Sequence, residues 1–580
     1  MCTTVIVGKA VSKTGRVIVG HNEDAGGRSL HQSFFYPAAD HAPGEMLTAE
    51  PGCARLPQAP HTLGVYWSNM LAPAPGSSFD QGFANDAGLV LCSNAGGTAF
   101  DAESTDLTDG GVGFLFRRVI AERARTAREA VEIARDLVTR YGYAGEARNY
   151  TVADKDEAWC INVVRGRHFV AKRVPDDRVM LISNMLAIRS VDLSDKANVV
   201  ASPDLIEYAI AQGRYSPAQE GCFDDFDFAR AYQSDENRRN PEKSIRMREG
   251  WLEIAGLWCA DELHYPETLA PKAPMGVEEV KAVLRLTAPE TYRTRGDGRA
   301  DAFHVSAVDI SRSHTRESWV MEFAQTPLLS ILWRDASYQD TGVYVPWFPI
   351  AGAIPESCAI TTLDEARRVH FAMKPQYLDF DYSKYYWLAA LLGELVNFDR
   401  GLMAGVWASR EALEASFRQS ADALLARAAQ GKPAEPALRE ALAQFTAASQ
   451  AAADERAREL LAELDVIEVS SDRDSLPAAE EAGLITIAVA AESGFDPQAV
   501  DPASLRWSLG FTASKPSALA PAEPIRVEEG ESGELRCVFR AGDVARYAPA
   551  GVLCDTYIRG FCAGRRFVGM TAVRFTAPEA

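Results

Sequence analysis

The stretch MCTTVIVGKAVSKTGRVIVGHNED, residues 1–24, decides how the fold of this chain begins. Two β-rich runs, Thr3–Ala10 and Arg16–His21, are separated by Ser12-Lys13-Thr14-Gly15, a cluster that is typical of a turn. The pattern predicts a β-hairpin whose first strand starts directly after Cys2. A secretory signal would place an unbroken apolar segment of about 7–15 residues after a basic start, and this stretch alternates instead.

Short strands continue through the first third of the chain. In Phe83–Asn94 (FANDAGLVLCSN), the residues Asn85-Asp86-Ala87-Gly88 predict a turn that leads into a strand. Gly113–Tyr141 has apolar residues at helical spacing and predicts one long amphipathic helix, after which Arg148–Asn184 returns to strands. Because strands and helices do not alternate regularly, the pattern favours antiparallel sheets covered by helices, an α+β fold.

The middle of the chain is mixed, and its composition changes twice further on. Predicted helices cover Pro203–Gln212, Glu242–Trp258 and Val277–Leu286, and predicted strands cover Phe303–Ile310, Ser318–Phe323 and Leu329–Ala336. Ala404–Leu464 is rich in Ala, Glu, Arg and Leu and predicts a helical pair that is broken at Gly431-Lys432-Pro433. After Pro477, short strands separated by Pro/Gly/Ser-rich stretches predict a small β-sandwich.

These changes predict three units: a domain over residues 2–400, a helical segment over 401–470 that packs on it, and a C-terminal β-sandwich over 480–580. Domains with their own core can fold alone, so we expect the last unit to be independent, with a boundary within 470–477. The competing expectation is that this unit packs over the functional site and shapes its pocket.

The formal net charge of −20 and the sequence pI of about 5.0 exclude some partners. An acidic surface repels phosphate backbones, so nucleic acid is not an expected partner. An uninterrupted apolar run of about 18 residues is absent from the sequence, so no membrane span is expected. With neither a targeting segment nor a span, the expected location is the cytoplasm. A homo-oligomer is compatible with the sequence.

The ten cysteines are scattered, without a C-x-x-C pair or a histidine pair at zinc spacing. The sequence therefore predicts neither a metal nor an organic cofactor. Most of these thiols are typical core residues. Cys2 differs because removal of Met1 would give it a free α-amine, which titrates near pH 7.7–8.0, beside a nucleophilic thiol that titrates near 8.5. One residue would then supply both nucleophile and base. Position alone does not separate this interpretation from a cysteine that merely happens to be second.

The surrounding motifs carry a resemblance. The segments MCTTVIVGKA, HNEDAGG, NDAGLVLCSNAGG and LISN resemble the dipeptidase A family of N-terminal-nucleophile cysteine hydrolases. That family includes the secernins and is more distantly related to the choloylglycine hydrolases. The resemblance covers about two-thirds of the chain and fades after about residue 400. It implies an αββα sandwich of two antiparallel sheets between helices, a small peptide substrate and no cofactor.

The resemblance also implies roles for single residues. Cys2 matches the nucleophile, Asp24 the acid that holds its α-amine, and Asn94 the residue whose side-chain NH₂ stabilises the oxyanion. Asn184, at the end of LISN, matches a second polar residue near the nucleophile. Asp24 and Asn94 stand close to glycines, where Asn and Asp also serve simply as turn formers.

Supporting positions are His21, Asn22 and a mid-chain arginine. His21 stands where relatives commonly carry Arg, so a titrating ring replaces a permanent charge. For the arginine, Arg246 and Arg248 are both candidates, and Arg246 is our assignment.

Three functions follow. The first is a dipeptidase that uses Cys2 after removal of Met1. The second is an amidase that acts on N-acyl substrates with the same residues, as in the choloylglycine branch. The third is a secernin-like interaction protein whose N-terminal site is vestigial. Intact Cys2, Asp24 and Asn94 favour an enzyme over the third.

Overall fold

The computed structural model describes residues 2–25, 29–47, 50–71, 79–100, 106–259, 264–286, 309–312, 314–369, 375–479, 481–510, 521–548 and 550–577. Most of the predicted strand Phe303–Ile310 lies outside these ranges. Over the part that is described, none of the helices is long and apolar enough to cross a bilayer.

Two antiparallel sheets dominate the first 350 residues. Their strands, with one short extra pair, are β1 (Thr3–Val7), β2 (Ile18–Asp24), β3 (Leu30–Tyr36), β4 (Ala39–Asp40), β5 (His61–Thr62), β6 (Val65–Leu71), β7 (Phe79–Asn85), β8 (Val90–Gly96), β9 (Tyr143–Ala153), β10 (Ala158–Gly166), β11 (Phe169–Arg173), β12 (Val179–Ile182), β13 (Val199–Ala201), β14 (Thr268–Leu269), β15 (Thr315–Glu322), β16 (Ile331–Ala336) and β17 (Val345–Trp347). Within the described ranges, one sheet has the order β14-β12-β1-β2-β15-β16-β17 and the other β13-β11-β10-β9-β8-β7-β6-β3, while β4 pairs with β5.

The predicted N-terminal hairpin is confirmed and lies in the middle of the first sheet. β1 and β2 pair with Thr4 opposite His21 and Val5 opposite Gly20, and β12 and β15 flank the pair. Helix packing requires the glycine in β2, because a Cβ at Gly20 would stand 2.3 Å from a methyl group of Val280. The hairpin therefore holds residues 2–24 between neighbouring strands and under a helix.

Helices cover the outer face of each sheet. The helices among the described residues are, in chain order, α1 (Leu115–Arg123), α2 (Ala127–Tyr141), α3 (Leu205–Ala211), α4 (Phe228–Tyr232), α5 (Asp235–Arg238), α6 (Pro241–Ala255), α7 (Val277–Leu284), α8 (Leu363–Val369), α9 (Tyr385–Phe398), α10 (Met403–Gly431), α11 (Glu435–Leu460) and α12 (Gly542–Ala545). α6 and α7 pack on the sheet that contains β1, and α1 and α2 pack on the other sheet. Apolar side chains of both sheets form one core between them, and a second core lies under α1 and α2. This is the expected αββα sandwich.

The region predicted as one helix, Gly113–Tyr141, contains two, so that prediction is wrong. The break lies at residues 124–126, where Thr126 adopts an extended backbone and its side chain accepts a hydrogen bond from the Glu129 N–H. The Glu129 carboxylate in turn accepts from the Arg125 N–H at 2.8 Å. Thr126 and Glu129 thus start a new helix by capping it, and this local pattern outweighs the continuous apolar spacing.

A buried charged cluster joins the two sheets next to the end of β2, where Glu317 pairs with Glu23. Glu317 on β15 contacts Arg334 at 2.8 Å, His31 at 3.1 Å and the Ser68 hydroxyl at 2.5 Å, and His31 and Ser68 belong to the opposite sheet. Burial alone would raise the pKa of Glu317, but the contacts with His31, Arg334 and Ser68 lower it to about 2. The ionised carboxylate therefore cross-links the sandwich.

We expect Glu317→Gln to lower the free energy of unfolding by about 3 kcal/mol at pH 7, because breaking a buried pair leaves its partners uncompensated. A lowered carboxyl pKa stabilises the fold above the unfolded value near 4.5, and that stabilisation is lost as pH falls towards 2. Urea unfolding at several pH values should show the difference between wild type and variant shrinking below pH 4.5. The exposed Glu411→Gln is the control, and a pH-independent difference would contradict this account.

The helical pair and the C-terminal strands follow the sandwich. α10 and α11 confirm the predicted pair. The strands are β18 (Leu464–Ile467), β19 (Val469–Ser471), β20 (Ser475–Pro477), β21 (Leu484–Val489), β22 (Arg506–Leu509), β23 (Arg526–Glu529), β24 (Leu535–Arg540), β25 (Val552–Cys562) and β26 (Arg565–Thr576). Among the described residues, β18, β20, β22, β25 and β26 form one sheet and β19, β21, β23 and β24 form another, with a shared apolar core.

The boundary of this C-terminal unit differs from the predicted start at residue 480. β18 and β20 pair in parallel with β26, so the sheets already include residues 464–477. A cut within 470–477 would separate β18 from β26. Helix α9 also shares an apolar cluster with the unit, and Arg559 lies 3.5 Å from Glu394 in a buried ion pair. We propose a boundary near residue 462; whether the unit folds alone stays a prediction.

Candidate active site

Cys2 lies at the start of β1 and is 3% exposed. The register that pairs Thr4 with His21 puts Cys2 next to Glu23, and alternate residues of both strands face the space between the two sheets. The side chains of Cys2, Thr4, His21 and Glu23 therefore share one face at the end of the hairpin.

The backbone of Cys2 is held on both sides of its Cα. Its N–H donates to Asn184 Oδ1 at 2.6 Å, and its carbonyl accepts from Arg246 Nη1 at 2.6 Å. Arg246 Nη2 also donates to Asn184 Oδ1 at 3.0 Å, while Asn184 Nδ2 donates to the Ala95 carbonyl at 2.9 Å. These bonds form a closed ring that fixes Cys2 to helix α6 and to the opposite sheet.

Of the two candidate arginines, Arg246 and Arg248, only Arg246 contacts Cys2 among the described contacts. Arg246 is fully buried on α6 and reaches Cys2, whereas Arg248 lies two residues further along the same helix and points elsewhere. Arg248 Nε donates to the Cys259 carbonyl at 3.1 Å, and its guanidinium lies 5.5 Å from the Trp258 ring centre. The structure places Arg246 at the site, in agreement with our assignment.

Glu23 is a site residue that sequence reasoning missed. The Cys2 thiol donates to Glu23 Oε1 at 3.1 Å, and His21 Nε2 lies 3.2 Å from Glu23 Oε2. Burial, and next the Glu23 charge, raise the pKa of the Cys2 thiol. Burial opposes ionisation of Glu23 as well, but the His21 contact lowers its pKa. Strand alternation could have found Glu23, since it is paired with Cys2 in the predicted hairpin.

His21 is completely buried and held by both ring nitrogens. Nδ1 lies 2.8 Å from Thr4 Oγ1, and Nε2 faces Glu23. Burial acts to lower the pKa of His21, but its contacts with Cys92 and Glu23 outweigh burial and raise it well above the ordinary value. The raised pKa favours protonation of the ring at the position where relatives commonly carry Arg.

Asn94 reaches the same space from β8 of the opposite sheet. Thr4 Oγ1 donates to Asn94 Oδ1 at 2.7 Å, and Asn94 Nδ2 points to the Ile182 carbonyl at 3.4 Å. The bond to Ile182 is long, so the amide NH₂ is weakly engaged. The amide is thereby oriented with its donor group available near the start of β1.

Asn22 and Asp24 lie on the other face of β2, away from the thiol. Asn22 Nδ2 donates at 3.0 Å to the carbonyls of Leu284 and Ile310, which ties β2 to the end of α7. Asp24 Oδ1 accepts from Thr315 Oγ1 at 2.7 Å, and its Oδ2 lies 3.6 Å from Arg312 Nε. The structure thus groups Cys2, His21, Asn94, Asn184 and Arg246, with Asn22 and Asp24 behind them. Asn184 accepts from the Cys2 N–H, and the expected role of Asp24 as the acid that holds the α-amine stays a prediction.

One group of possible metal ligands lies at this site. The sulfur of Cys2, a ring nitrogen of His21 and a carboxylate oxygen of Glu23 are all within 4.8 Å of one another. No other trio of such residues was found among those that the structure describes.

The fold and the site define a class: a four-layer αββα protein with a buried thiol at the start of a central strand, held through its own backbone. The sequence profile of peptidase family C69 matches residues 1–403, and the chain belongs to this family.

Curated relatives carry related names. The chain is 29% identical to a "Probable dipeptidase" of Salmonella dublin, over 40% of this chain and 53% of the relative. It is 23% identical to a "Dipeptidase" of Bifidobacterium longum (strain NCC 2705), over 62% of this chain and 73% of the relative. The alignment with the Salmonella relative thus spans about half of that protein.

Solved structures give a weaker likeness. A penicillin V acylase from Agrobacterium tumefaciens matches 58% of this chain and 83% of its own, with 12% identity and a TM-score of 0.27. The fold assignment rests on the sheets and helices described above.

Proposed function

We propose that this protein is a cysteine dipeptidase whose nucleophile is the Cys2 thiol once Met1 has been removed. The observation that carries the proposal is the closed ring of hydrogen bonds around Cys2. In it, Asn184 Oδ1 accepts from the Cys2 N–H and Arg246 Nη1 donates to the Cys2 carbonyl. Such a ring fixes the position of the Cys2 backbone nitrogen. A fixed nitrogen is required when the α-amine of the same residue serves as the base for its thiol. The names of the curated relatives favour dipeptides as substrates.

The first step is proton transfer within Cys2. Removal of Met1 converts the Cys2 backbone nitrogen to an α-amine that still donates to Asn184 Oδ1. With its N–H bonds so directed, the nitrogen lone pair takes the thiol proton. The thiolate then attacks the scissile carbonyl carbon, a C–S bond forms, and the carbonyl oxygen becomes an oxyanion.

The oxyanion needs a fixed donor, and Asn94 Nδ2 is the candidate that the geometry supports. Collapse of the tetrahedral intermediate breaks the C–N bond, and the protonated α-amine of Cys2 gives its proton to the leaving amine. Water then attacks the thioester with the α-amine again as base, which releases the acid and restores the thiol. During these steps the protonated His21 ring, 3.2 Å from the Glu23 carboxylate, compensates the negative charge of Glu23.

An amidase on N-acyl substrates is the rival, because it would use the same residues. A panel of dipeptides and N-acyl amino acids separates the two: the proposal expects hydrolysis of dipeptides with a free amino end, and preference for acylated substrates would replace it. A secernin-like interaction protein would hydrolyse neither the dipeptides nor the N-acyl amino acids. The proposal places the reaction in the cytoplasm and involves neither nucleic acid nor a membrane.

Asp24 provides a test of the amine's surroundings. We expect Asp24→Asn to lower kcat on a dipeptide about 10²-fold with little change in KM, because the carboxylate charge supports the ammonium formed on Cys2. Steady-state kinetics checks this.

Thr315→Val is the matched control, since it removes the hydroxyl that bonds Asp24 and keeps the charge. It should change kcat only a few-fold. Equal kcat values for wild type and a folded Asp24→Asn variant would make Asp24 purely structural.

A further inference from the structure

We propose that Cys2, His21 and Glu23 form a binding site for a divalent transition-metal ion of the zinc type, and that such an ion blocks the thiol. None of the comparisons assigns a metal to this chain. Binding requires only the three side chains. Its inhibitory consequence rests on the proposed function of Cys2.

The three groups are a thiol, an imidazole and a carboxylate, which are the side chains that hold zinc in proteins. Bonds of about 2.0–2.3 Å in a tetrahedral site separate neighbouring ligand atoms by roughly 3.3–3.8 Å. Here the Cys2 sulfur lies 3.1 Å from Glu23 Oε1, and His21 Nε2 lies 3.2 Å from Glu23 Oε2. All three ligand atoms lie within 4.8 Å of one another, so small adjustments of the side chains would bring them to these separations.

The His21 ring is oriented for this role. Thr4 Oγ1 has one proton, which it donates to Asn94 Oδ1 at 2.7 Å. In the contact with His21 Nδ1 at 2.8 Å, the ring N–H must therefore donate and Thr4 Oγ1 accept. Nε2 is left as the nitrogen that faces Glu23, where a metal ion would replace the proton between them. Metal-binding histidines are commonly fixed by such a bond on the second nitrogen.

The site is also preformed by the backbone. Thr3 pairs with Asn22 and Thr4 with His21, so Cys2, His21 and Glu23 project from one end of a hairpin that neighbouring strands hold on both sides. All three ligands are buried, at 3%, 0% and 3% exposure. Burial excludes competing water, and three protein ligands leave a fourth position open, as in sites that exchange their fourth ligand.

On coordination the thiol and His21 Nε2 each give up a proton to solvent, and the electron pairs of the sulfur and of Nε2 go to the metal. The sulfur is then unable to attack a carbonyl, so the bound form is inactive. We expect micromolar Zn²⁺ to stop dipeptide hydrolysis and a chelator to restore it.

Cobalt(II) is the probe of binding, because a thiolate ligand gives it a near-ultraviolet charge-transfer band. Titration of the full-length protein with Co²⁺ should produce this band at one ion per chain, and added Zn²⁺ should remove it. Cys2→Ser should abolish the band, and Glu23→Gln and His21→Gln should each weaken Co²⁺ binding more than 10-fold. Thr4→Val, which keeps the three ligands, should weaken it about 10–100-fold.

The matched control is a Cys53→Ser, Cys222→Ser double variant, which removes the two partly exposed thiols and should leave the band unchanged. No band in the wild type, or an undiminished band in folded Glu23→Gln and His21→Gln, would overturn the proposal. Thermal unfolding identifies a misfolded variant. If Glu23→Gln or His21→Gln is misfolded, the Co²⁺ affinity of Thr4→Val tests the proposal instead, and an unchanged affinity would overturn it. Cobalt binding without hydrolysis would leave the metal site standing and remove the dipeptidase; hydrolysis without cobalt binding would do the reverse.

Discussion

Replacing Cys2 by alanine is expected to lower kcat/KM on dipeptides by about 10³-fold or more, because the alanine removes the only group that forms the covalent intermediate. Cys2→Ser should keep only a small residual rate, since a hydroxyl is a much weaker nucleophile than a thiol at neutral pH. The ring of Asn184 and Arg246 binds the backbone of Cys2, so both variants should keep the fold. Steady-state kinetics on purified protein measures the loss.

Cys160→Ala is the matched control for Cys2→Ala. Cys160 is an equally buried thiol in the sandwich core, on β10, and it has no contact with the ring around Cys2. Its replacement should cost some stability through a small cavity and leave kcat/KM within a few-fold of wild type. Dipeptidase activity of Cys2→Ala above the contaminant level would remove the nucleophile from this account.

Arg246→Met carries the second large effect. Methionine fills similar space but leaves the Cys2 carbonyl and Asn184 Oδ1 without the donor that now bonds them. A displacement of about 1 Å at a reacting group costs about 10²-fold in rate, so we expect a fall in kcat of that size with a smaller change in KM. Lost hydrogen bonds in a buried place also lower the free energy of unfolding by about 1–3 kcal/mol.

Arg248→Met separates a role at the site from a general effect of losing a cation on α6. Arg248 bonds the Cys259 carbonyl and lies against Trp258, so its loss should leave kcat within a few-fold of wild type. Similar falls for both variants would mean that Arg246 acts only through helix stability. Urea unfolding of both proteins supplies the correction for stability.

The hairpin could be predicted because its signal is local. Alternating β-branched residues on both sides of Ser12–Gly15 specify two strands and a turn, and the structure has them as β1 and β2. The same applies to the helical pair, whose predicted break at 431–433 falls where α10 ends at Gly431, before α11 begins at Glu435. Local patterns of this kind need no knowledge of the rest of the chain.

Contacts between distant segments could not be predicted in this way. The bond from Arg246 to the Cys2 carbonyl joins residues 244 positions apart, and two arginines on α6 fitted the pattern equally well. The parallel pairing of β18 with β26 moved the start of the C-terminal unit because β18 finds its partner about a hundred residues later. Glu23 is different, because strand alternation in the predicted hairpin could have placed it on the same face as Cys2.

The central claim is that Cys2 is the first residue of the active protein. Intact-mass and N-terminal peptide analysis of an active preparation, combined with alkylation by a thiol reagent, tests it most directly. The account predicts a peptide that begins at Cys2 with a free α-amine, and loss of activity in step with alkylation of that thiol. A fully active protein that still carries Met1 on Cys2 would contradict it.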